Sequence, residues 1–217
     1  LLAALESGWA DPKKIGQVPS KAALLRTSAI ESLASNLGVK ADQVEITGEV
    51  GLGYFLSLGG FLSADQKLFY GAGDRSGVIA TARSHLGISE IIPLSADGKL
   101  DFSKIAISKR SILSLQLANG ETGAINQLPQ SLPEDLLIAV DATASGNRIA
   151  LPKNWSSAVF DSRSWEGPAG LAIVAIADAA NWKNPLPHIS AVRRTYGTFS
   201  LPLLIASAVA LENFAPD

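Results

Sequence analysis

Asp141 is the residue of this sequence whose chemical type and position best suit a reaction or a bound ligand. It directly follows the apolar run 136–140, which predicts a buried strand. In α/β sheets, ligands bind beyond the carboxyl ends of parallel strands, so an acid there can pair with a cationic group. A helix N-cap or an ordinary loop acid is the alternative, and for a single isolated acid it is the more frequent outcome.

The segment 160–170 carries a second set of reactive side chains. It reads Phe-Asp-Ser-Arg-Ser-Trp-Glu-Gly-Pro-Ala-Gly and precedes the apolar run 171–176. Ser162 and Ser164 would need an adjacent base to act as nucleophiles, and the sequence places no base beside either serine. A hydrolase is therefore a weak interpretation.

The turn at residues 47–50, Thr-Gly-Glu-Val, lies between a predicted strand and a predicted helix. A helix N-terminus can bind an anion through its free amides. Glu49 puts negative charge where that anion would lie, so the turn predicts a plain capped helix.

Alternating strands and helices must position these residues, and this alternation is typical of an α/β architecture. Short apolar runs predict the buried strands of a mainly parallel sheet flanked by helices. The seven runs are residues 44–47, 67–70, 88–94, 112–117, 136–140, 158–160 and 171–177. Helices are predicted from Ser20 as N-cap to Gly38, over 51–62 and 76–86, and over 201–214 with Pro202 in the first turn. No repeat or linker is evident, and residues 1–217 are predicted to form one domain.

The composition excludes several classes of protein. The 217 residues include 18 basic and 20 acidic side chains, and the net charge of −2 gives no electrostatic reason to expect nucleic acid or an anionic membrane as a partner. No apolar run reaches the roughly 20 residues that span a bilayer. The sequence has no cysteine, which excludes disulfides, thiolate metal sites and a cysteine nucleophile within it. We expect a cytoplasmic protein without a metal site.

The order of the motifs resembles that of the class V aminotransferases and cysteine desulfurases over essentially all 217 residues. The segment 160–170 ends in the Gly-Pro-x-Gly that follows the cofactor lysine of those enzymes. The other similar segments are 8–12 (Gly-Trp-Ala-Asp-Pro), 47–48 (Thr-Gly), 74–75 (Asp-Arg), 118–123 (Ala-Asn-Gly-Glu-Thr-Gly), 140–145 (Val-Asp-Ala-Thr-Ala-Ser) and 194–198 (Arg-Thr-Tyr-Gly-Thr). The resemblance implies the large domain of the type I pyridoxal phosphate-dependent transferase fold, which usually dimerises. It also implies that the small C-terminal domain of the family is absent from this sequence.

The resemblance gives four residues a place around pyridoxal phosphate. Asp141 is at the position of the acid that pairs with the pyridine nitrogen and keeps it protonated, so that the ring can act as an electron sink. Arg75 replaces a histidine that stacks on the ring, and a guanidinium can also stack on a flat ring. Arg163 replaces a second histidine, and Ser164 replaces the lysine that forms the Schiff base. Because serine cannot form an imine, the internal aldimine is lost and no catalytic residue is carried over.

Further positions of the implied cofactor site also differ from the family. Gly120 and Ala144 replace an asparagine and a glutamine near the ring hydroxyl. Glu49 and Asp161 replace residues of the phosphate cup, and each carboxylate close to a phosphate would repel it by roughly 1–4 kcal/mol. The sequence also lacks the mobile cysteine that a desulfurase needs.

These differences favour a degenerate homologue that keeps the fold, forms no aldimine and acts by binding or by forming a homodimer. The alternative is an active pyridoxal phosphate-dependent transferase whose modified lysine is missing from this sequence. The sequence also has no methionine, which the loss of modified residues would explain, and a lysine between Ser164 and Trp165 would suit the family spacing. In a third interpretation, Arg75, Arg163 and Asp141 line the vacated pocket and bind a different small anion.

Overall fold

The structure is a computed structural model that describes residues 1–186 and 199–215. Its helices are α1 (Leu2–Gly8), α2 (Gln17–Leu37), α3 (Val50–Gly59), α4 (Ser76–Ser84) and α5 (Leu201–Asn213). Its strands are β1 (Val44–Thr47), β2 (Leu68–Gly71), β3 (Ser89–Ile92), β4 (Ile112–Gln116), β5 (Leu137–Asp141), β6 (Ser157–Asp161) and β7 (Ala172–Ile176). All seven predicted strands are present, and their ends differ from the predicted ones by at most two residues.

One mixed sheet contains the strands in the order β1-β7-β6-β5-β4-β2-β3. Strands β3, β2, β4, β5 and β6 run parallel to one another. β7 is antiparallel to both of its neighbours, so β1 points in the same direction as β6. The carboxyl ends of all strands except β7 therefore lie at one edge of the sheet. This confirms the predicted α/β fold with a mainly parallel sheet.

Helices cover both faces of the sheet. On one face, α2 and α5 pack through a core that includes Leu33 and Leu204. On the other face, which we call the α3 face, α3 and α4 pack through Leu56 and Val78. Within the described residues, no helix is long and apolar enough to cross a membrane.

The alternation of side chains along the strands decides which polar groups reach the α3 face. In β5, Ile138 belongs to the core under α2, whereas Ala139 belongs to the core under α3. Side chains two residues apart in a strand share a face, so Asp141 faces α3. The same alternation places Gln116 of β4 and Asp161 of β6 on the α3 face, each at the carboxyl end of its strand.

Helix α2 begins one turn earlier than predicted. It starts at Gln17 with Gly16 as N-cap, so the assignment of Ser20 as N-cap was wrong. Pro19 explains the difference, because proline is tolerated in the first turn of a helix, where amides have no intrahelical acceptor. Gly38 ends the helix as predicted, with a φ of 70° that suits glycine.

Candidate functional site

The carboxylate of Asp141 lies at the carboxyl edge of the sheet and is buried on the α3 face. Its Oδ1 accepts hydrogen bonds from the backbone N–H of Thr143 at 2.9 Å and from the Thr143 hydroxyl at 2.7 Å. Its Oδ2 lies 3.3 Å from the hydroxyl of Tyr54, which also contacts Thr143 Oγ1 at 2.9 Å. Helix α3 thus supplies a phenol that, with the turn after β5, encloses the acid.

Burial dominates the electrostatics of this pair. It raises the pKa of Asp141, while the hydrogen bonds from Thr143 and the positive charge of Arg75 act in the opposite direction. Burial and then the charge of Asp141 raise the pKa of Tyr54 far above its ordinary value, so the phenol remains a hydrogen-bond donor.

Asp74, in the turn after β2, is a second buried acid. Its Oδ2 accepts from the backbone N–H of Gly71 at 3.0 Å and from the hydroxyl of Ser114 at 2.9 Å, whereas its Oδ1 has no hydrogen-bond partner. Burial is the main cause that raises the pKa of Asp74 to about 7. The paired residues of β2 and β4 end at Phe69 and Leu113, so this carboxyl group bridges the two strands beyond their ladder.

Arg75 follows Asp74 and brings a positive charge close to Asp141. Its guanidinium lies beside Gly120, where a Cβ would be 2.8 Å from Nη2 and 3.3 Å from the Cβ of Ala144. Small residues at 120 and 144 therefore leave the space that this half-buried guanidinium fills. No hydrogen bond or ion pair joins Arg75 to another side chain in the described part of the chain.

The segment after β6 forms the 3-10 turn Ser162–Trp165. The hydroxyl of Ser164 donates to the backbone carbonyl of Asp161 at 2.8 Å. Arg163 donates to the Asp161 carboxylate from Nε, at 3.1 Å to Oδ1 and 3.0 Å to Oδ2, and from Nη2, at 2.5 Å to Oδ2. The Arg163 side chain is itself 65% exposed. Hydrogen bonding to Asp161, followed by its charge, raises the pKa of Arg163. The negative charge of Asp161 is thus paired within the turn.

Glu49 lies at the start of α3, after β1. Its Oε1 accepts from the backbone N–H of Leu52 at 2.5 Å, and the Thr47 hydroxyl donates to the Glu49 carbonyl at 2.8 Å. The plain capped helix predicted for this turn is therefore confirmed. Thr47 and Asp161 both pair with Ala172 of β7, so the α3 terminus and the turn after β6 flank the same strand.

No family model matches the sequence, and no curated protein sequence matches it. Many solved structures match. A NifS-like protein superposes with a TM-score of 0.83 at 18% identity, over 97% of this chain and 64% of that protein. SspA in complex with cysteine superposes with a TM-score of 0.83 at 18% identity, over 100% of this chain and 70% of that protein. A cysteine desulfurase from Thermococcus onnurineus NA1 superposes with a TM-score of 0.76 at 15% identity, over 98% of this chain and 63% of that protein. This chain has the fold of the cysteine desulfurases.

At these identities the likeness establishes the desulfurase fold alone. The chain spans 64% of the NifS-like protein's length, so the activity and partners of whole desulfurases are no more than proposals for it. The implied resemblance to the large domain is nevertheless confirmed at the level of fold.

Within this desulfurase fold, the predicted site residues fall into two groups. Asp141 and Arg75 lie close enough for the guanidinium charge to act on the acid. Arg163 and Ser164 lie in the turn after β6, where they bond to Asp161. Arg194 and the rest of the segment 194–198 lie outside the described residues. No group of three potential metal ligands occurs in ranges 1–186 and 199–215.

Three residues that complete the surroundings of the two buried acids were not predicted from the sequence. They are Tyr54, Thr143 and Ser114. Thr143 follows Asp141 by two residues, a spacing at which a carboxylate often accepts a backbone N–H, so it could have been found. The contact with Tyr54 depends on the rotation of α3 against the sheet, and no local pattern reports that rotation.

Proposed function

We propose that the protein is a degenerate cysteine desulfurase-like domain that forms no imine with pyridoxal phosphate and acts by binding, as a homodimer. The surroundings of Ser164 carry the proposal. A hydroxyl cannot form an imine, and the Oγ of Ser164 is already bound to the Asp161 carbonyl at 2.8 Å. The small size of this side chain is matched by Gly146, where a Cβ would lie 2.7 Å from that Oγ.

The other residues give pyridoxal phosphate a poor fit. Asp141 fits, since a buried acid at this edge could pair with a ring nitrogen. Glu49 does not fit, because its carboxylate already accepts the Leu52 amide at the start of α3 and puts a negative charge where a phosphate would bind. Arg75 does not fit beside Asp141, because a protonated ring there would meet a second positive charge. We therefore derive no reaction step through this cofactor.

The packing of the turn after β6 argues against the alternative of a lysine lost between Ser164 and Trp165. The Trp165 side chain is fully buried, and its Nε1 donates to the Ser207 carbonyl of α5 at 3.2 Å. The turn closes on Glu166, whose N–H donates to the Ser162 and Arg163 carbonyls. An additional residue would have to displace a large core side chain or break this closure.

The test combines an intact mass with a search for the imine. The purified protein is incubated with excess pyridoxal phosphate, scanned for the aldimine absorption band, reduced with borohydride and weighed again. We expect the mass of the written sequence, no site-specific band and no adduct, with a lysine-containing pyridoxal phosphate enzyme as positive control. A stoichiometric adduct, or an extra residue between Ser164 and Trp165, would refute the proposal. Sedimentation velocity tests the homodimer separately.

A further inference from the structure

We propose that two side chains of this chain occupy the places where a charged ligand would bind. Glu49 lies at the N-terminus of α3, the anionic position, where a phosphate would bind. Arg75 lies near Asp141, the cationic position, where a protonated ring would bind. The site then excludes, even without covalent chemistry, a ligand that carries a phosphate at one end and a protonated aromatic ring at the other. This inference rests on the proposed function and deepens it, because it concerns noncovalent binding rather than the imine.

The anionic position is filled at the start of α3. A helix N-terminus attracts an anion because its first amides have no intrahelical acceptor. Glu49 Oε1 takes the Leu52 amide at 2.5 Å and also covers Gly51, where a Cβ would lie 2.5 Å from the same oxygen. An incoming phosphate would have to displace a carboxylate that is tethered to the helix and then remain beside its negative charge.

The groups that could compensate for this carboxylate are already used. The Thr47 hydroxyl donates to the Glu49 carbonyl at 2.8 Å. Arg163, the cation of the neighbouring turn, is bound by two of its nitrogens to Asp161. A free phosphate would therefore gain no unengaged hydroxyl from Thr47 and no unpaired charge from Arg163.

The cationic position is filled by Arg75. Asp141 is buried, and the positive charge of Arg75 acts to lower the pKa of its carboxyl group. Gly120 and Ala144 are too small to displace the guanidinium, and Nη2 lies 2.8 Å from the position of a Cβ at 120. A protonated ring paired with Asp141 would be repelled by the positive charge of this guanidinium.

The experiment uses pyridoxine 5′-phosphate, which has no aldehyde and so cannot report on imine formation. Binding is measured by calorimetry and by the ¹⁵N NMR shift of the Leu52 amide, for the wild-type chain and three variants. Glu49→Ser keeps a good N-cap but removes the carboxylate. Arg75→His removes the guanidinium, and the third variant combines both changes. Arg83→His with Asp101→Ser is the matched control, because it changes an exposed arginine and an acidic N-cap that make none of the contacts described for the site.

We expect no saturable binding by the wild-type chain or by the control. Each single variant should gain on the order of ten-fold in affinity, and the double variant on the order of a hundred-fold. Saturable wild-type binding with a shift of the Leu52 amide would overturn the inference, as would a folded double variant that binds no better than wild type. If Arg75→His does not fold, the binding of inorganic phosphate to Glu49→Ser is compared with its binding to the wild-type chain. A Glu49→Ser variant that binds phosphate no better than wild type would then overturn the inference at the anionic position. An adduct with pyridoxal phosphate in the earlier test would refute the proposed function without answering this question.

Discussion

Replacing Asp74 by asparagine should remove a large part of the pH dependence of stability. Burial raises the pKa of Asp74 from an ordinary 3.8 to about 7, so the folded chain holds a proton that the unfolded chain releases earlier. Between these two values the folded state binds more protons than the unfolded state. The free energy of unfolding therefore falls as the pH rises, by about 1.4 kcal/mol per pH unit.

The expected loss for the wild-type chain is about 3 kcal/mol between about pH 4.5 and pH 8 from Asp74 alone. Asp141, whose pKa is also raised by burial, changes stability in the same direction. Asp74→Asn has no charge to bury, and its amide oxygen can still accept from the Gly71 amide and the Ser114 hydroxyl. The variant should differ from wild type by no more than about 1 kcal/mol at about pH 4.5 and be more stable by about 3 kcal/mol at about pH 8.

Urea unfolding followed by the fluorescence of the four tryptophans measures this difference at each pH. Asp97→Asn is the control, because Asp97 lies in an exposed turn where hydrogen bonds from Lys99 and then Ser95 lower its pKa to about 2. A lowered pKa changes the free energy of unfolding in the opposite direction and only at lower pH. The control should therefore show the same fall in the free energy of unfolding above about pH 4.5 as the wild-type chain. Parallel curves for wild type and Asp74→Asn over the whole range would refute the reasoning.

Two further substitutions test the contacts of the site. Tyr54→Phe removes the hydroxyl that contacts Asp141 and Thr143, and should lower the free energy of unfolding by about 1 kcal/mol in the same urea assay; an unchanged value would mean that the phenol contributes no net hydrogen bond. Gly146→Ala should cost about 2 kcal/mol, because its φ is 57° and the new Cβ would lie 2.7 Å from Ser164 Oγ. Gly123→Ala is the matched control, with a φ of 73° and nothing within 4 Å, and should cost only about 1 kcal/mol. Equal losses at the two glycines would contradict the close approach of Ser164.

The sequence predicts the strands well because all of them except β3 are largely buried on both faces. A strand such as β4, whose five residues are all buried, appears as a short apolar run bounded by polar residues. The order of the strands could not be read in this way, since it depends on contacts between distant segments. The start of α2 was misplaced because a serine at position 20 is a good N-cap, and the tolerance of Pro19 in the first turn outweighed that preference.

The position of a candidate site residue was predictable where that residue ends a strand. Asp141 is such a residue, and its position follows from the strand that precedes it. The pairing of Asp161 with Arg163 was not predicted, although the two lie two residues apart. We expected Glu49 to cap a helix, and we expected the carboxylates of both Glu49 and Asp161 to face the phosphate position. The 3-10 turn after β6 bends Arg163 back onto Asp161, and a turn of that kind leaves no clear mark in the sequence.

The position of β1 at the end of the sheet has a consequence for how the protein folds. Val44 belongs to β1, whose strand partner among residues 1–186 and 199–215 is the distant β7, where Val44 pairs with Ala175. Pairs so distant in sequence are slow to form, because a long loop must close before they give any stability. During synthesis, β1 leaves the ribosome long before its partner and remains unpaired until β7 follows. β7 thus joins β1 to the rest of the sheet, and a chain truncated before β7 should expose the unpaired edges of β1 and β6 and aggregate.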